Sequence, residues 1–231
     1  MARRVAIVTG GSGALGQAIA LRLLAEGLAV AVPWVVEAER DALVARAGGA
    51  ARERLLEARC DVTDGAAIEA HVAEVRRRFD RLDVLVTAVG GFAGGALVET
   101  DRATWEGMLA LNLTSAYTAA RAVVPHMVAA RGGRVVAIAS RAVLPPAGGF
   151  IAYTAAKAGV IAFAQALAQE VRSHGITVNA IAPSTMDTPA NRAAMPGVDP
   201  ATWVPVEAVA DAVAWLASES AGHVTGTVLA I

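Results

Sequence analysis

The sequence predicts an α/β fold in which helices cover both faces of a doubly wound parallel sheet of about seven strands. Short apolar β-branched runs alternate with longer alanine-rich amphipathic stretches along the whole chain. Of the 231 residues, 55% are hydrophobic and 18% are charged, which suits a sheet that is buried on both faces. Because no linker, repeat or low-complexity segment interrupts this alternation, we predict a single domain over residues 1–231.

The first half of the chain predicts four strands separated by helices. The strands cover residues 5–8, 28–32, 55–60 and 84–86. The helices cover residues 14–26, 37–47 and 64–79. Gly27 is placed to close the first helix, and Asp64 is placed to cap the third.

The second half continues the alternation with longer helices. A long helix over residues 102–130 contains Pro125, which we expect to bend or interrupt it. The later helices cover residues 151–173, ended by Gly175, and 206–217. The later strands cover residues 134–139, 176–181 and 226–231.

Charge and composition exclude several classes of function. The net charge of −1 gives no electrostatic basis for binding nucleic acid or an anionic membrane. The four histidines have no ligand-like spacing, so no metal site is expected. Cys60, the only cysteine, permits no internal disulfide and is interpreted as a small buried apolar residue in a cytoplasmic protein. No signal peptide and no membrane-spanning apolar run are expected.

A glycine-rich turn follows the first predicted strand and leads directly into a helix. Gly11-x-Gly13-x-x-Gly16 matches the dinucleotide-binding fingerprint of Rossmann-like folds. Glycines let the backbone approach a pyrophosphate, and the helix N-terminus offers free N–H groups. The acidic residue expected about 20 residues later is missing, because Trp34 stands there. Neither Glu37 nor Arg40 decides between NAD and NADP.

A tyrosine and a lysine stand four residues apart at the start of a predicted helix. Tyr153 and Lys157 therefore share one helix face. A neighbouring ammonium favours the phenolate, so we expect the pKa of Tyr153 to be lowered toward neutrality, where the phenol can donate or accept a proton.

These motifs together resemble the short-chain dehydrogenase/reductase family over nearly the whole chain. The matching positions are Thr9, Gly10, Ala14, Gly16, Asp61, Val62, Ala88, Val89, Gly90, Gly91, Asn112, Ser140, Tyr153, Lys157 and residues 183–188. The chain departs from the family pattern at Ala14 and Ser184, where glycine is usual, and at Ala88, where asparagine is usual.

The resemblance implies a catalytic tetrad of Asn112, Ser140, Tyr153 and Lys157. It implies NAD(P)-dependent hydride transfer between a carbonyl and an alcohol, with Tyr153 as general acid/base. Lys157 binds the nicotinamide ribose, Ser140 contacts the substrate oxygen and Asn112 holds a relay water. The implied cofactor contacts are Gly10, Gly11, Ser12, Gly13, Leu15, Gly16, Trp34, Asp61, Val62, Ala88, Gly90, Tyr153, Lys157, Pro183, Thr185 and Thr188.

Three segments are also similar to the dihydropteridine reductase branch: residues 11–16, 90–95 and 187–196. A pterin reductase therefore remains an alternative. A sensor that binds NAD(P) without catalysis is a second alternative. Residues 190–205 are interpreted as a short substrate lid. Phe92, Phe150, Met195 and Trp203 are placed in segments that flank the substrate side. The expected partners are a small-molecule substrate and further copies of the chain, in a homodimer or homotetramer.

Overall fold

Seven parallel strands form one sheet in the computed structural model, which describes residues 3–231. Met1 and Ala2, part of the segment interpreted as lacking a signal peptide, lie outside the described residues. The strands are β1 (Val5–Thr9), β2 (Ala29–Trp34), β3 (Leu55–Arg59), β4 (Val84–Thr87), β5 (Gly133–Ile138), β6 (Ile176–Ala182) and β7 (Val228–Ala230). Their order across the sheet is β3-β2-β1-β4-β5-β6-β7, which confirms the predicted doubly wound α/β fold.

Helices cover both faces of this sheet. They are α1 (Ala14–Ala25), α2 (Glu37–Arg46), α3 (Gly65–Phe79), α4 (Arg102–Leu109), α5 (Ser115–Ala130), α6 (Ile151–Val171), α7 (Pro189–Ala194) and α8 (Val206–Ala217). Short 3₁₀ turns lie at Gly49–Arg54, Arg172–His174 and Pro200–Thr202.

Alternating strand residues build two separate cores. In β1, Val5 and Ile7 belong to the core beneath α3, α5 and α6, whereas Ala6 and Val8 belong to the core beneath α1, α2 and α8. Successive side chains of a strand point to opposite faces, so a run that is apolar throughout fills both cores.

Strand β2 is longer than predicted. It continues through Pro33 to Trp34 and pairs there with β3. Pro33 lies beyond Ala31, the last residue of β2 that pairs with β1, so the strand tolerates a residue without an N–H at this point.

The predicted helix over residues 102–130 is irregular, but not at Pro125. A π-helical turn, Ala110–Thr114, separates α4 from α5, and Pro125 lies inside α5. Pro125 and Arg121, whose carbonyl loses its helical partner, are both exposed, so water can solvate that carbonyl. The expected interruption at Pro125 is therefore wrong.

Among residues 3–231, one helical segment is long and apolar enough to cross a membrane by length and composition, namely Ile151–His174. The segment packs against β6 and carries the buried Lys157. We interpret it as a helix of the layer that covers the sheet.

Candidate active site

The carboxyl ends of the central strands bring the predicted site residues to one edge of the sheet. Gly10 follows β1, Gly90 follows β4, Ser140 follows β5 and Pro183 follows β6. Parallel α/β sheets bind their ligands in the crevice outside this edge. Because β1 and β4 are neighbours, and the chain crosses over in opposite directions from them, the topological switch point lies between the turns that follow these two strands.

The glycine turn has the shape that a dinucleotide pyrophosphate requires. Gly10 has φ +69°, and a Cβ on it would lie 2.7 Å from the backbone of Ala88. A Cβ on Gly16 would lie 1.9 Å from the Gly10 carbonyl oxygen, so the helix packs against the turn without room for a side chain. Gly13 is the N-cap residue of α1 and makes no side-chain hydrogen bond, so N–H groups at the start of the helix remain available for an anion. The residues present therefore fit a dinucleotide cofactor.

The outer part of the predicted cofactor site is built from β2 and β3. Trp34 is half-buried, and the Arg40 guanidinium lies 4.9 Å from the centroid of its ring. Glu37 does not reach back toward the glycine turn, because it pairs with Arg40 at 2.9 Å. Asp61 is exposed and accepts hydrogen bonds from Thr63, which lower its pKa, while the neighbouring Val62 is buried.

Sequence reasoning missed two residues at this end of the site. Glu39 lies against Ser12 of the glycine turn, and the buried Gln17 bonds to both segments. The available signal was Gln17 itself, a polar residue on the buried face of an otherwise apolar helix.

The π-helical turn positions Asn112 against the loop after β4. The side chain of Asn112, which is 1% exposed, accepts from the Gly91 N–H at 3.2 Å and donates to the Gly91 carbonyl at 3.1 Å. It also donates to the Met108 carbonyl at 3.1 Å. Irregular turns of this kind are frequent at functional sites. Here the irregular turn directs the Asn112 side chain inward, where it holds the loop that contains Gly90.

Gly90 is closely approached by two of the predicted catalytic residues. A Cβ on Gly90 would lie 2.8 Å from Asn112 Oδ1 and 3.2 Å from Lys157 Nζ. The structure thus brings Asn112 and Lys157 to the same point of the loop.

Ser140 and Tyr153 lie together at the end of β5. Ser140 is buried, its Oγ accepts from the Ala142 N–H at 3.2 Å, and it lies near enough to the Tyr153 phenol to lower the pKa of that group. Lys157 is buried below them and donates to the Ile138 carbonyl at 2.9 Å. Asn112, Ser140, Tyr153 and Lys157, the tetrad that the resemblance implies, therefore lie in one region of the structure.

The expected lowering of the Tyr153 pKa is wrong for the protein by itself. Burial raises the pKa of Tyr153, and the hydrogen bond with Ser140 opposes this only in part. Burial also lowers the pKa of Lys157 to about 8. The Lys157 ammonium donates to the Ile138 carbonyl. Its charge therefore does not dominate the pKa of Tyr153, although the two residues share one helix face.

Two phenylalanines surround the Tyr153 ring. The centroid of Phe92 lies 5.1 Å from that of Tyr153 and 5.6 Å from that of Phe150. Phe92 is 66% exposed, so an apolar surface faces outward beside the phenol. Loop backbone bonds hold this cluster, because Gly95 donates to the Gly149 carbonyl at 2.8 Å.

The segment after β6 is structured. Pro183 accepts from the Arg141 N–H, the Thr185 carbonyl accepts from the Val204 N–H at 2.9 Å, and Thr188 caps α7. Trp203 is buried at the end of the segment, away from solvent. The C-terminal end of the predicted lid is thus tied to the segment that precedes its start.

Comparison with known proteins assigns this arrangement to a family. The model of the short chain dehydrogenase family matches residues 4–198. The chain belongs to this family. This short-chain dehydrogenase contains the glycine turn, Asn112, Ser140, Tyr153 and Lys157 at one edge of its sheet.

Curated relatives of this short-chain dehydrogenase are named as reductases and dehydrogenases, and the chain is an oxidoreductase of the same family. It is 34% identical to the 3-oxoacyl-(acyl-carrier-protein) reductase FabG of Escherichia coli strain K12, with 98% of the chain and 94% of the relative covered. It is 38% identical to cis-4-hydroxycyclohexanecarboxylate dehydrogenase of Sinomonas cyclohexanicum, with 100% and 95% covered. The solved structure of levodione reductase matches with a TM-score of 0.90 at 29% identity, covering 100% of this chain and 96% of that one.

Proposed function

We propose that the protein interconverts a carbonyl and an alcohol by NAD(P)-dependent hydride transfer, with Tyr153 as general acid/base. The observation that carries this proposal is the convergence of Ser140, Tyr153 and Lys157 at the end of β5, on the sheet edge where the glycine turn also lies. A proton donor and a second hydroxyl therefore face the region where a substrate oxygen binds.

Each residue of the tetrad has a distinct role in this proposal. A bound NAD(P)H supplies the hydride to the carbonyl carbon. Tyr153 gives its phenolic proton to the carbonyl oxygen, so the product is a neutral alcohol. Ser140 Oγ donates a hydrogen bond to the same oxygen and stabilises the developing negative charge. The raised pKa of Tyr153 keeps the phenol protonated at neutral pH, which is the form that carbonyl reduction needs.

Lys157 and Asn112 support the site from below. Lys157 Nζ donates to the Ile138 carbonyl and lies close to Gly90, and in this proposal it binds the hydroxyls of the nicotinamide ribose. The Asn112 amide is engaged by Gly91 and Met108, and its oxygen retains one lone pair for the proposed relay water. Asn112 therefore acts first as a positioning residue for the loop at Gly90.

We propose a compact cyclic ketone as the substrate. The exposed Phe92 and its neighbour Phe150 offer an apolar surface beside the proton donor. The name of the Sinomonas relative describes a ring alcohol, the product class that such a ketone would give. Residues 190–205 are proposed as the lid over this surface.

A quinonoid dihydropterin is the second candidate substrate. Phe92, which contacts the Tyr153 ring, belongs to a segment that resembles the dihydropteridine reductase branch, and its ring offers a stacking surface for a flat bicyclic substrate. A sensor that binds NAD(P) without turnover is the third candidate. We also propose a cytoplasmic location, from the lone Cys60, and a homodimer or homotetramer.

A substrate panel tests the proposed function. Oxidation of NADH and of NADPH is followed with cyclic ketones, linear 3-oxoacyl thioesters and quinonoid dihydropterin, with each substrate omitted in turn as the control. We expect turnover with a cyclic ketone. Binding of the cofactor without turnover on any substrate would favour the sensor, and turnover with the dihydropterin alone would favour the second candidate.

A further inference from the structure

The end of β2 lacks the carboxylate that usually binds the adenosine ribose, yet a carboxylate reaches the same side of the glycine turn from α2. Glu39 Oε2 accepts a hydrogen bond from Ser12 Oγ at 3.1 Å. In Rossmann-like folds the adenosine ribose lies between the glycine turn and the end of β2, where an acidic residue accepts from its hydroxyls. The Ser12–Glu39 contact places a carboxylate from α2 directly beside the glycine turn.

The position of Glu39 is fixed by a buried side chain. Gln17, which is 8% exposed, donates from Nε2 to the Ser12 carbonyl at 2.7 Å and to the Glu39 carbonyl at 3.2 Å. Its Oε1 accepts from Arg46 at 2.9 Å. A single amide therefore clamps the start of α2 to the glycine turn and holds the Glu39 backbone in register with Ser12.

Apart from Arg46, whose guanidinium donates to Gln17 Oε1, the charges around this point disfavour a phosphate on the ribose. Arg40 forms ion pairs with Glu37 and Asp41, so its charge is compensated. In the part of the chain that the structure describes, no ion pair compensates Glu39. A 2′-phosphate beside this carboxylate is repelled, whereas a 2′-hydroxyl donates to it.

We propose that Glu39 is the ribose-binding carboxylate of this protein and that it selects NAD(H) over NADP(H). The inference rests on the proposed cofactor site and adds to it a specificity-determining residue on α2 in place of one at the end of β2. Trp34 then forms a wall of the adenosine pocket, stacked with Arg40, rather than contacting the ribose hydroxyls.

Calorimetric titration with NADH and NADPH tests this selectivity without any turnover. Wild-type protein should bind NADH at least tenfold more tightly than NADPH. Glu39→Gln removes the charge but keeps the shape, and should reduce this ratio about tenfold to a hundredfold, as expected for a hydrogen bond to a charged group. Glu53→Gln is the control, since it removes the same charge from an exposed residue before β3 that forms no ion pair within residues 3–231, and should leave the ratio within about twofold, the level of a screened exposed charge.

A reversal variant completes the test. Glu39→Lys places an ammonium beside Ser12 and should favour NADPH. Wild-type preference for NADPH, or equal losses for both nucleotides in Glu39→Gln, would overturn the inference. These outcomes are separate from the proposed chemistry, because a protein that selects NADH through Glu39 but reduces no carbonyl contradicts only the proposed function.

Discussion

Gly90 is the residue at which the catalytic and cofactor parts of the site meet most closely. Its loop passes so near Asn112 and Lys157 that any side chain would press on both. Only glycine, which has no Cβ, lets the backbone pass this close to both side chains.

We predict that Gly90→Ala lowers cofactor affinity and kcat together. The added methyl group would lie 2.8 Å from Asn112 Oδ1, so either the loop or the tetrad must shift. Such overpacking typically costs about 1–3 kcal/mol. The measurement is the Kd for NADH beside kcat. Gly94→Ala is the control in the same loop, since the nearest atom to its added Cβ is a Phe92 ring carbon at 4.0 Å. Unchanged affinity in Gly90→Ala would show that the loop yields freely.

The ionisation of Tyr153 is a second prediction at this scale. The chain has only two tyrosines, so Tyr117→Phe leaves Tyr153 as the sole phenol. Because burial raises its pKa, near-ultraviolet absorbance of the phenolate in the free protein should rise only above about pH 10, the ordinary value for tyrosine. A phenolate signal near neutral pH would show that the Lys157 charge outweighs burial.

At the scale of single elements, α3 contains a buried group without partners. His71 is 3% exposed, and both of its ring nitrogens lack a hydrogen bond. Burial lowers the pKa of His71 below its ordinary value. Between about pH 6.5 and the lowered pKa, His71 is protonated in the unfolded chain but neutral in the folded chain. The free energy of unfolding therefore falls as pH falls through this range.

We predict that His71→Leu stabilises the protein and flattens the acid side of its stability profile. Replacing an unsatisfied buried polar ring by an apolar side chain should raise the free energy of unfolding by about 1–2 kcal/mol, and by more at pH 5 than at pH 8. Urea unfolding at the two pH values measures this. His223→Leu, at an exposed position, should not change the difference between them. A loss of stability in His71→Leu would mean that the imidazole makes contacts that leucine cannot replace.

The π-helical turn shows why some elements escaped prediction. The apolar pattern of residues 102–130 reads as one helix, and Pro125 is its only visible breaker. The irregularity instead lies where Asn112 bonds to Gly91, a contact between residues far apart in sequence. The local apolar pattern carries no information about such a tertiary hydrogen bond. Nor does it show that Pro125 is exposed to solvent, which allows it to remain inside α5.

Across the whole molecule, the doubly wound fold followed from sequence, because the alternation of strands and helices is a local signal. The tetrad was implied by the family resemblance. The glycine turn, Ser140 and the Tyr153–Lys157 pair each lie at a strand end or helix start that the hydrophobic pattern locates. Glu39 could not be found in this way, since its contact with Ser12 depends on how α2 packs against the turn. The direction of the Tyr153 pKa also depends on burial, which spacing does not reveal.

Comparison of two tyrosine variants tests the assignment of Tyr153 as the proton donor. Tyr153→Phe removes one hydroxyl from the site, and Tyr117→Phe removes one from the half-exposed face of α5. At saturating cofactor, with the best ketone of the panel, Tyr153→Phe should lower kcat by about a hundredfold to ten-thousandfold, the contribution of a general acid, while Tyr117→Phe remains near wild type. The Kd for the cofactor should rise by no more than about tenfold in Tyr153→Phe, which loses one hydrogen bond to the cofactor, and should stay unchanged in Tyr117→Phe. Retention of kcat in Tyr153→Phe would contradict the assignment of Tyr153 as the proton donor.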